Sequence, residues 1–493
     1  MLSSFLSFQN LKDSLSSVLY DVSNKFDTIL LILIRTINCH TIMHKMKIKV
    51  LIFARSFLAN YASEIDSDIF DTIFVVLTKK EKELIEAKGK KVYGCFEEEF
   101  SNIKESKING DYLKTSFSSD RFLCRFDLKK RLEILGKEIT FWRSIIEKTK
   151  PNYLVNESIS IEISEVMAIE AERYGIPFLS DLQGFFPYTF YWKPSPFDGR
   201  LNDLSTIKPN DANLLKAKGY YNDVVEKGYK PFYIIDSLKP YGYSLKNIIA
   251  SLYRDTILYI KKKKLQRITT FRYEDDYSFF SYQMSRRLFN RIIYSYDNIK
   301  DLKNKQIIFF PLHIEPEAIL NYFAEEYQNQ VSTIENIAKT LKPNQYLVIK
   351  EHPQQKGALL DRRYRDLKKK LLNLIYLPAE LNCQDIIIKS EAIVTLTSTA
   401  AWEGVLFGKP VFVLGKIFYD QCPGVTKIES IKHLKEEIRK DEYLYPQKED
   451  VLNFIAAMIS IFNKGCATPY AKESFKQNVM DYTIAIEKAI QKK

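Results

Sequence analysis

The chain has 493 residues but only five histidines, and its six cysteines lie far apart with no CxxC pair. Scattered thiols argue against a zinc site and a disulfide framework, and they fit a reducing compartment. HExxH, GxxxxGK[ST] and GxSxG are missing. Zinc-protease, P-loop and α/β-hydrolase chemistry lose support accordingly. The apolar run "TILLILI" at 28–34 is closed by Arg35 after seven residues, whereas a membrane span needs about 20. No small-residue cleavage site follows it, which speaks against a signal peptide. Internal repeats and low-complexity segments are also lacking.

What is present is a core and a positive charge. Hydrophobic residues make up 46% of the chain and charged ones 27%, enough for two or three ordinary domains without global disorder. The net charge of +12 suits an anionic partner: a sugar nucleotide, an acidic glycan, a lipid headgroup or nucleic acid. A lysine-rich codon bias would give the same charge. Nucleic acid is the least favoured, because the basic residues are scattered and no RNA or DNA module appears.

Strands and helices alternate from Met46 onward. "IKVLIFA", "DTIFVVL" and "KVYGCF" read as buried parallel strands. A long amphipathic helix over 127–151, the strand "NYLVNE", a helix over 164–175 and the strand "IPFLSD" follow. Residues 200–300 break the rhythm and are expected to be helical, with "KKKK" at 261–264 a solvated helix face or a contact for membrane or glycan. Alternation resumes at "KQIIFFPLH" and continues to "KPVFVLG" before a helical tail. Such order predicts an α/β protein with two Rossmann-like parallel-sheet domains. The expected division is an extension over 1–45 outside the fold, an N-terminal domain over 46–200 and a helical insertion over 201–300. A C-terminal domain over 301–465 and a helix over 466–493 complete it.

Ligands of open parallel sheets sit beyond the carboxyl ends of the strands. Two of the five histidines fall there, in "FPLHIEPEA" (His313, with Glu315 and Glu317 behind it) and in "VIKEHPQQ" (Lys350 and His352). A third strand end, "TLTSTAAWEG", runs directly into a helix whose N-terminus suits phosphate. Ser398 and Thr399 would add hydroxyls, Glu403 would reach a ribose diol, and Lys350 with His352 would neutralise phosphate. The plainer reading is that Ser398 or Thr399 only caps the helix, but three polar strand ends in one sheet favour a site.

These strings, "FFPLHIEPEA", "YLVIKEHP" and "VTLTSTAAWEGVLFGKPVFVLG", resemble the capsular polysaccharide biosynthesis family over about residues 305–420. That family consists of GT-B glycosyltransferases and includes bacterial β-Kdo transferases. The resemblance implies a GT-B-like fold whose two domains face a cleft, and a nucleotide site at His352, Ser398, Thr399 and Glu403. It also implies a CMP-linked donor such as CMP-Kdo as substrate, a glycan or glycolipid acceptor, and no cofactor or metal. A cytoplasmic location follows, with peripheral contact to the inner face of the cytoplasmic membrane as a further expectation. His313 would face the reacting sugar, with Glu315 or Glu317 orienting it or binding acceptor.

Acid–base chemistry needs a group from the facing domain. Glu157 and Asp181 each end a predicted N-terminal strand and are the candidate general base or nucleophile. Either would serve equally well as an N-cap or a salt-bridge partner. Competing readings are a teichoic-acid-type polyol-phosphate transferase, a sugar-nucleotide epimerase, and an inactive GT-B scaffold in a capsule assembly complex.

Overall fold

The computed structural model describes residues 47–55, 57–109, 112–114, 123, 126–229, 245–266, 278–315, 317–465 and 475–491. The expected extension over 1–45 lies outside them, as do the side chains of Lys262, Lys263 and Lys264. Packing divides the chain into Met1–Lys49 with Ser67–Asp71, and Val50–Asp66 with Thr72–Lys493. In the first unit Lys47 Nζ donates to the Ser67 carbonyl (3.2 Å) and lies 3.7 Å from Asp71. All candidate site residues belong to the second.

The strands in chain order begin with β1 (Ile48–Phe53), β2 (Phe70–Val76), β3 (Val92–Cys95), β4 (Tyr153–Asn156), β5 (Phe178–Gln183) and β6 (Thr189–Trp192). They continue with β7 (Gln306–Pro311), β8 (Gln345–Lys350), β9 (Leu374–Leu377), β10 (Ala392–Thr395), β11 (Val411–Val413), β12 (Val425–Lys427) and β13 (Asn463–Lys464). They form two sheets, ordered β13-β6-β5-β4-β1-β2-β3 and β12-β11-β10-β7-β8-β9. All neighbours in the second sheet are parallel. Its central runs "QIIFFP" and "AIVT" are covered on both faces, so they are apolar without alternation. The architecture is α/β with two Rossmann-like sheets, as expected from the sequence, the first carrying antiparallel strands β6 and β13 at one edge.

Each sheet reverses its winding once. In the second, β7, β8 and β9 build outward to one side and β10, β11 and β12 to the other, so the reversal lies between β7 and β10. In the first it lies between β1 and β4. Such switch points leave a crevice at the carboxyl ends of the two strands.

One expectation is corrected here. The sequence reading ended a strand at Asp181, but β5 runs on to Gln183 and pairs antiparallel with β6, setting Asp181 opposite Trp192. The Gly184 N–H donates to the Thr189 carbonyl (2.7 Å) and closes this hairpin. A Cβ on residue 184 would meet that same carbonyl oxygen at 2.7 Å, so the close approach requires glycine.

Helices Asp211–Val225, Leu245–Gln266 and Ser278–Ile293 fill the described part of 201–300. The first packs on helices Lys448–Ile461 and Thr399–Leu406. Beyond Lys448–Ile461, β13 pairs with β6, and helix Phe475–Gln491 returns to the first sheet. There Tyr482 stacks on Phe190 at 5.0 Å and meets Tyr61 edge-on at 5.0 Å.

Candidate functional site

At the mouth of the second sheet, the chain leaving β7 and the chain leaving β10 are tied together. His313 Nε2 accepts the backbone N–H of Thr397 (3.1 Å). An accepting Nε2 puts the ring proton on Nδ1, which is buried without a partner. Gln330 holds the His313 backbone from both sides, accepting its N–H (2.8 Å) and donating to its carbonyl (3.0 Å). Burial, with His352 nearby, pushes the His313 imidazole down to about 3. His313 is therefore an uncharged pin across the switch point, and it presents neither ring nitrogen to the crevice.

Helix Thr399–Leu406 starts directly behind this pin. Ser398 caps it by accepting from Ala400 N–H (3.1 Å), and the Ser398 carbonyl accepts from Tyr419 Oη (2.7 Å). Gly404 lets the helix press onto β10, since a Cβ there would collide with the Ile393 side chain. Ser398, Thr399 and Glu403 are half-buried at the helix's beginning, where N–H groups and the helix dipole favour an anion.

His352, after β8, is half-buried, and its Nδ1 accepts from Gln354 N–H (3.2 Å). Its proton consequently resides on Nε2, available as a donor. Burial, reinforced by Lys350, lowers it to about 4, so it too is neutral near pH 7. Lys350 sits deeper than expected from the sequence. It is buried and donates to the carbonyls of Ala379 (2.9 Å) and Glu351 (3.3 Å).

Glu315 and Glu317 are half-buried. The Glu315 carboxylate accepts from Tyr364 Oη (3.3 Å) and lies 3.7 Å from Arg363, while its carbonyl accepts from Gln355 Nε2 (2.8 Å). Burial raises its pKa. It thus braces the loops after β7 and β8 against one another. Glu317 is the residue before helix Ala318–Phe323, and its side chain does not cap that helix.

The first sheet has a tie of its own at its switch point. Arg55, after β1, is ion-paired with Glu157, after β4, and donates to Ser160 Oγ (2.5 Å). Arg55 is buried, whereas the Glu157 side chain keeps 15% exposure. Asp181 is placed elsewhere: it is buried inside β5 and accepts from Tyr482 Oη (2.5 Å). Burial pushes Asp181 up to about 7, Tyr482 opposes that, and Glu157 adds to it. A carboxyl titrating near 7 suits a general base, but a base must touch its substrate. With Tyr482 over it, Asp181 meets the second requirement less well than Glu157.

The halves bearing these mouths touch through the helix behind His313. Tyr322 Oη donates to Glu165 Oε2 (3.1 Å), and Tyr322 and Phe323 pack with Ile159 and Ala168.

Reading the sequence missed several supporting groups: Arg55, Gln330, Tyr482 and Glu351. Glu351 is buried and accepts from Gly357 N–H (3.0 Å), Leu359 N–H (2.8 Å) and Tyr296 Oη (2.8 Å). Burial raises it to about 7. Only Gly357, at φ +90°, marks that turn in the sequence. Among the described residues no three His, Cys, Asp or Glu side chains are grouped to hold a metal, and no helix is long and apolar enough to cross a membrane.

Comparison with known proteins gives one family and several distant structures. Residues 248–461 match the family described as "Capsule polysaccharide biosynthesis protein". No curated protein matches the chain. Among solved structures, the chain is similar to the β-Kdo 2,7 transferase of KpsC from Thermosulfurimonas dismutans. That match has 16% identity and a TM-score of 0.32, covering 76% of this chain and 98% of that one. A UDP-GlcNAc 2-epimerase from Neisseria meningitidis matches at 14% identity and TM-score 0.27, over 91% of this chain and 100% of its own. Anabaena Alr3699/HepE, in complex with UDP-glucose, matches at 11% identity and TM-score 0.26, over 90% and 100%.

Proposed function

We propose that the chain, whose residues 248–461 match the capsule polysaccharide biosynthesis family, is a glycosyltransferase of that pathway. It takes a nucleotide-linked sugar at the mouth of the second sheet and transfers the sugar to a glycan or glycolipid. The observation that carries this reading is the constellation at the switch point. The start of helix Thr399–Leu406 is held in place by the His313–Thr397 hydrogen bond, and the neutral His352 stands on the adjoining strand end.

In this reading the donor phosphate sits against the N-terminus of that helix, with Thr399 and the Nε2–H of His352 as donors. Glu403, one turn in, accepts from the ribose hydroxyls. The donor is a CMP-linked sugar such as CMP-Kdo, and charge on the departing nucleotide is stabilised by these groups with no metal or cofactor. On the facing side Glu157 takes the proton of the acceptor hydroxyl, with Arg55 fixing its carboxylate. Asp181 serves beneath it as a structural group.

The test is a thermal-shift screen of the full chain against CMP, CDP, UDP and GDP, since a ligand of the folded state raises its stability. A shift with CMP alone supports the donor named here. CDP alone would redirect the reading to a polyol-phosphate transferase, and UDP alone to a hexosamine transferase or an epimerase.

A further inference from the structure

The mouth of the second sheet is short of positive charge for an anionic donor. His313 and His352 are both neutral near pH 7. Lys350 is buried, its Nζ held by the carbonyls of Ala379 and Glu351. Lys356 is buried 3.7 Å from Glu380, and Arg363 lies 3.7 Å from Glu315. On the facing side Arg55 is paired with Glu157, and Lys193 is buried with its Nζ donating to the Pro196 carbonyl (2.9 Å). The N-terminus of helix Thr399–Leu406 contributes about half a charge. A phosphate leaving water for a cleft still needs a full counter-charge.

Lys416 stands where that charge is missing. It lies on the chain leaving β11, the neighbour of β10. This chain runs beside the one leaving β10: the Leu414 N–H donates to the Thr395 carbonyl (2.9 Å) and the Gly415 N–H to the Leu396 carbonyl (3.1 Å). A Cβ on residue 415 would meet the Leu396 oxygen at 2.6 Å and the Thr397 methyl at 2.7 Å, so the close approach requires glycine. Lys416 therefore follows directly on the segment that lies against Leu396 and Thr397, just ahead of the helix start. Its N–H donates to the Phe323 carbonyl (2.8 Å), and a Cβ on Gly199 would meet its own carbonyl at 2.6 Å. The backbone is thus clamped between the helix behind His313 and a segment following β6.

The side chain is not clamped. Lys416 is exposed, and among the described residues its Nζ has no hydrogen bond or ion pair. Its charge reaches Asp198, but that carboxylate is already held by Arg200 Nε (2.9 and 3.0 Å). We propose that Lys416 is the counter-charge of the donor phosphate, the part that residue type alone suggested for Lys350, and that its ammonium meets the phosphate at the start of helix Thr399–Leu406. The inference rests on the reading of this mouth as a nucleotide-sugar site. A fixed backbone with a flexible four-carbon stem brings a point charge to the phosphate without moving the loop. As the sugar departs, the same ammonium stabilises the charge left on the nucleotide.

The experiment is calorimetric titration of full-length wild type, Lys416→Met and Lys416→Arg with CMP, CDP, UDP and GDP at low and high salt, with melting curves of the unliganded proteins. Methionine keeps most of the stem and removes the charge. Wild type should bind at least one nucleotide, and Lys416→Met should bind it roughly tenfold more weakly or worse. The variant's affinity should also depend less on salt, because one charge contact is gone. Lys416→Arg should recover most of the affinity. All three should melt alike, since the side chain is exposed. Wild type that binds none of the four would overturn the reading of the site and this inference with it. Wild type that binds while Lys416→Met binds equally well would overturn the inference alone. So would an equal loss in Lys416→Met and Lys416→Arg. A lowered melting temperature of Lys416→Met with unchanged affinity would also overturn it, and would tie Lys416 to Asp198 instead.

Discussion

His313 Nε2 accepts the backbone N–H of Thr397 at 3.1 Å, joining the two strand ends between which the second sheet reverses its winding. Replacing the ring by alanine leaves a buried N–H unpaired, a cost of about 1–3 kcal/mol. His313→Ala should accordingly lower the melting temperature and weaken nucleotide binding about tenfold, because the helix start shifts. His313→Gln, which can offer an acceptor oxygen, should recover part of both. Nucleotide titrations and melting curves on the two variants check this, and an unchanged affinity in His313→Ala would remove the pin from the account.

The same ring makes stability depend on pH. Its folded pKa is near 3, below the ordinary value of 6.5, so between these values the unfolded chain binds more protons. Stability is then fully present above about pH 6.5 and declines as the pH falls toward 3. His352, near 4, acts in the same direction. Wild type should lose on the order of 1–2 kcal/mol more than His313→Gln between pH 6.5 and 4.5, measured by urea unfolding at both pH values.

Asp181 should behave in the opposite sense. Its folded pKa is raised to about 7 from 3.8, so folding becomes less favourable as the pH rises through that interval and a charge must be buried. Asp181→Asn removes the charge and keeps a partner for Tyr482. Relative to wild type, the variant should gain stability between pH 5 and 8.5, on the order of 1–3 kcal/mol, while turnover at neutral pH stays within a few-fold. A loss of turnover of a hundredfold in a well-folded Asp181→Asn would instead place it in the catalytic step.

Glu157→Gln carries the acid–base assignment. Loss of a positioned general base costs roughly 100- to 10,000-fold in rate, and nucleotide affinity should barely move. The substitution also removes the carboxylate charge set against the buried Arg55 guanidinium, and breaking a buried pair is strongly destabilising. Arg55→Gln with Glu157→Gln therefore serves as the comparison: it should be more stable than Glu157→Gln alone yet equally slow. Near-normal turnover in either variant would contradict the assignment.

Much of this arrangement was legible in the chain. Runs such as "QIIFFP" and "YLVIK" are apolar because both faces of their sheet are covered, and the strand ends that carry His313, His352 and Ser398 could be named from them. What stayed hidden depends on pairings across long sequence distances. Nothing near Arg55 announces Glu157, and Tyr482 meets Asp181 only because the last helix returns to the first sheet. The β5–β6 hairpin was obscured because "LSDLQGFFPYTF" has neither strand alternation nor a two-residue turn signal. Lys350 looked like a phosphate ligand by residue type, and its depth in the sheet mouth became apparent only from the carbonyls it meets.

The most direct test is whether a nucleotide binds at the second sheet's mouth. Melting of the full chain is followed with CMP, CDP, UDP and GDP, for wild type, His352→Ala and Glu403→Gln. The account predicts that CMP stabilises wild type, by about 2.7 kcal/mol at a hundredfold excess over the dissociation constant. It also predicts that both variants melt normally when unliganded but need roughly tenfold more nucleotide for the same shift. No stabilisation by any of the four nucleotides, or equal stabilisation of wild type and both variants, would contradict it.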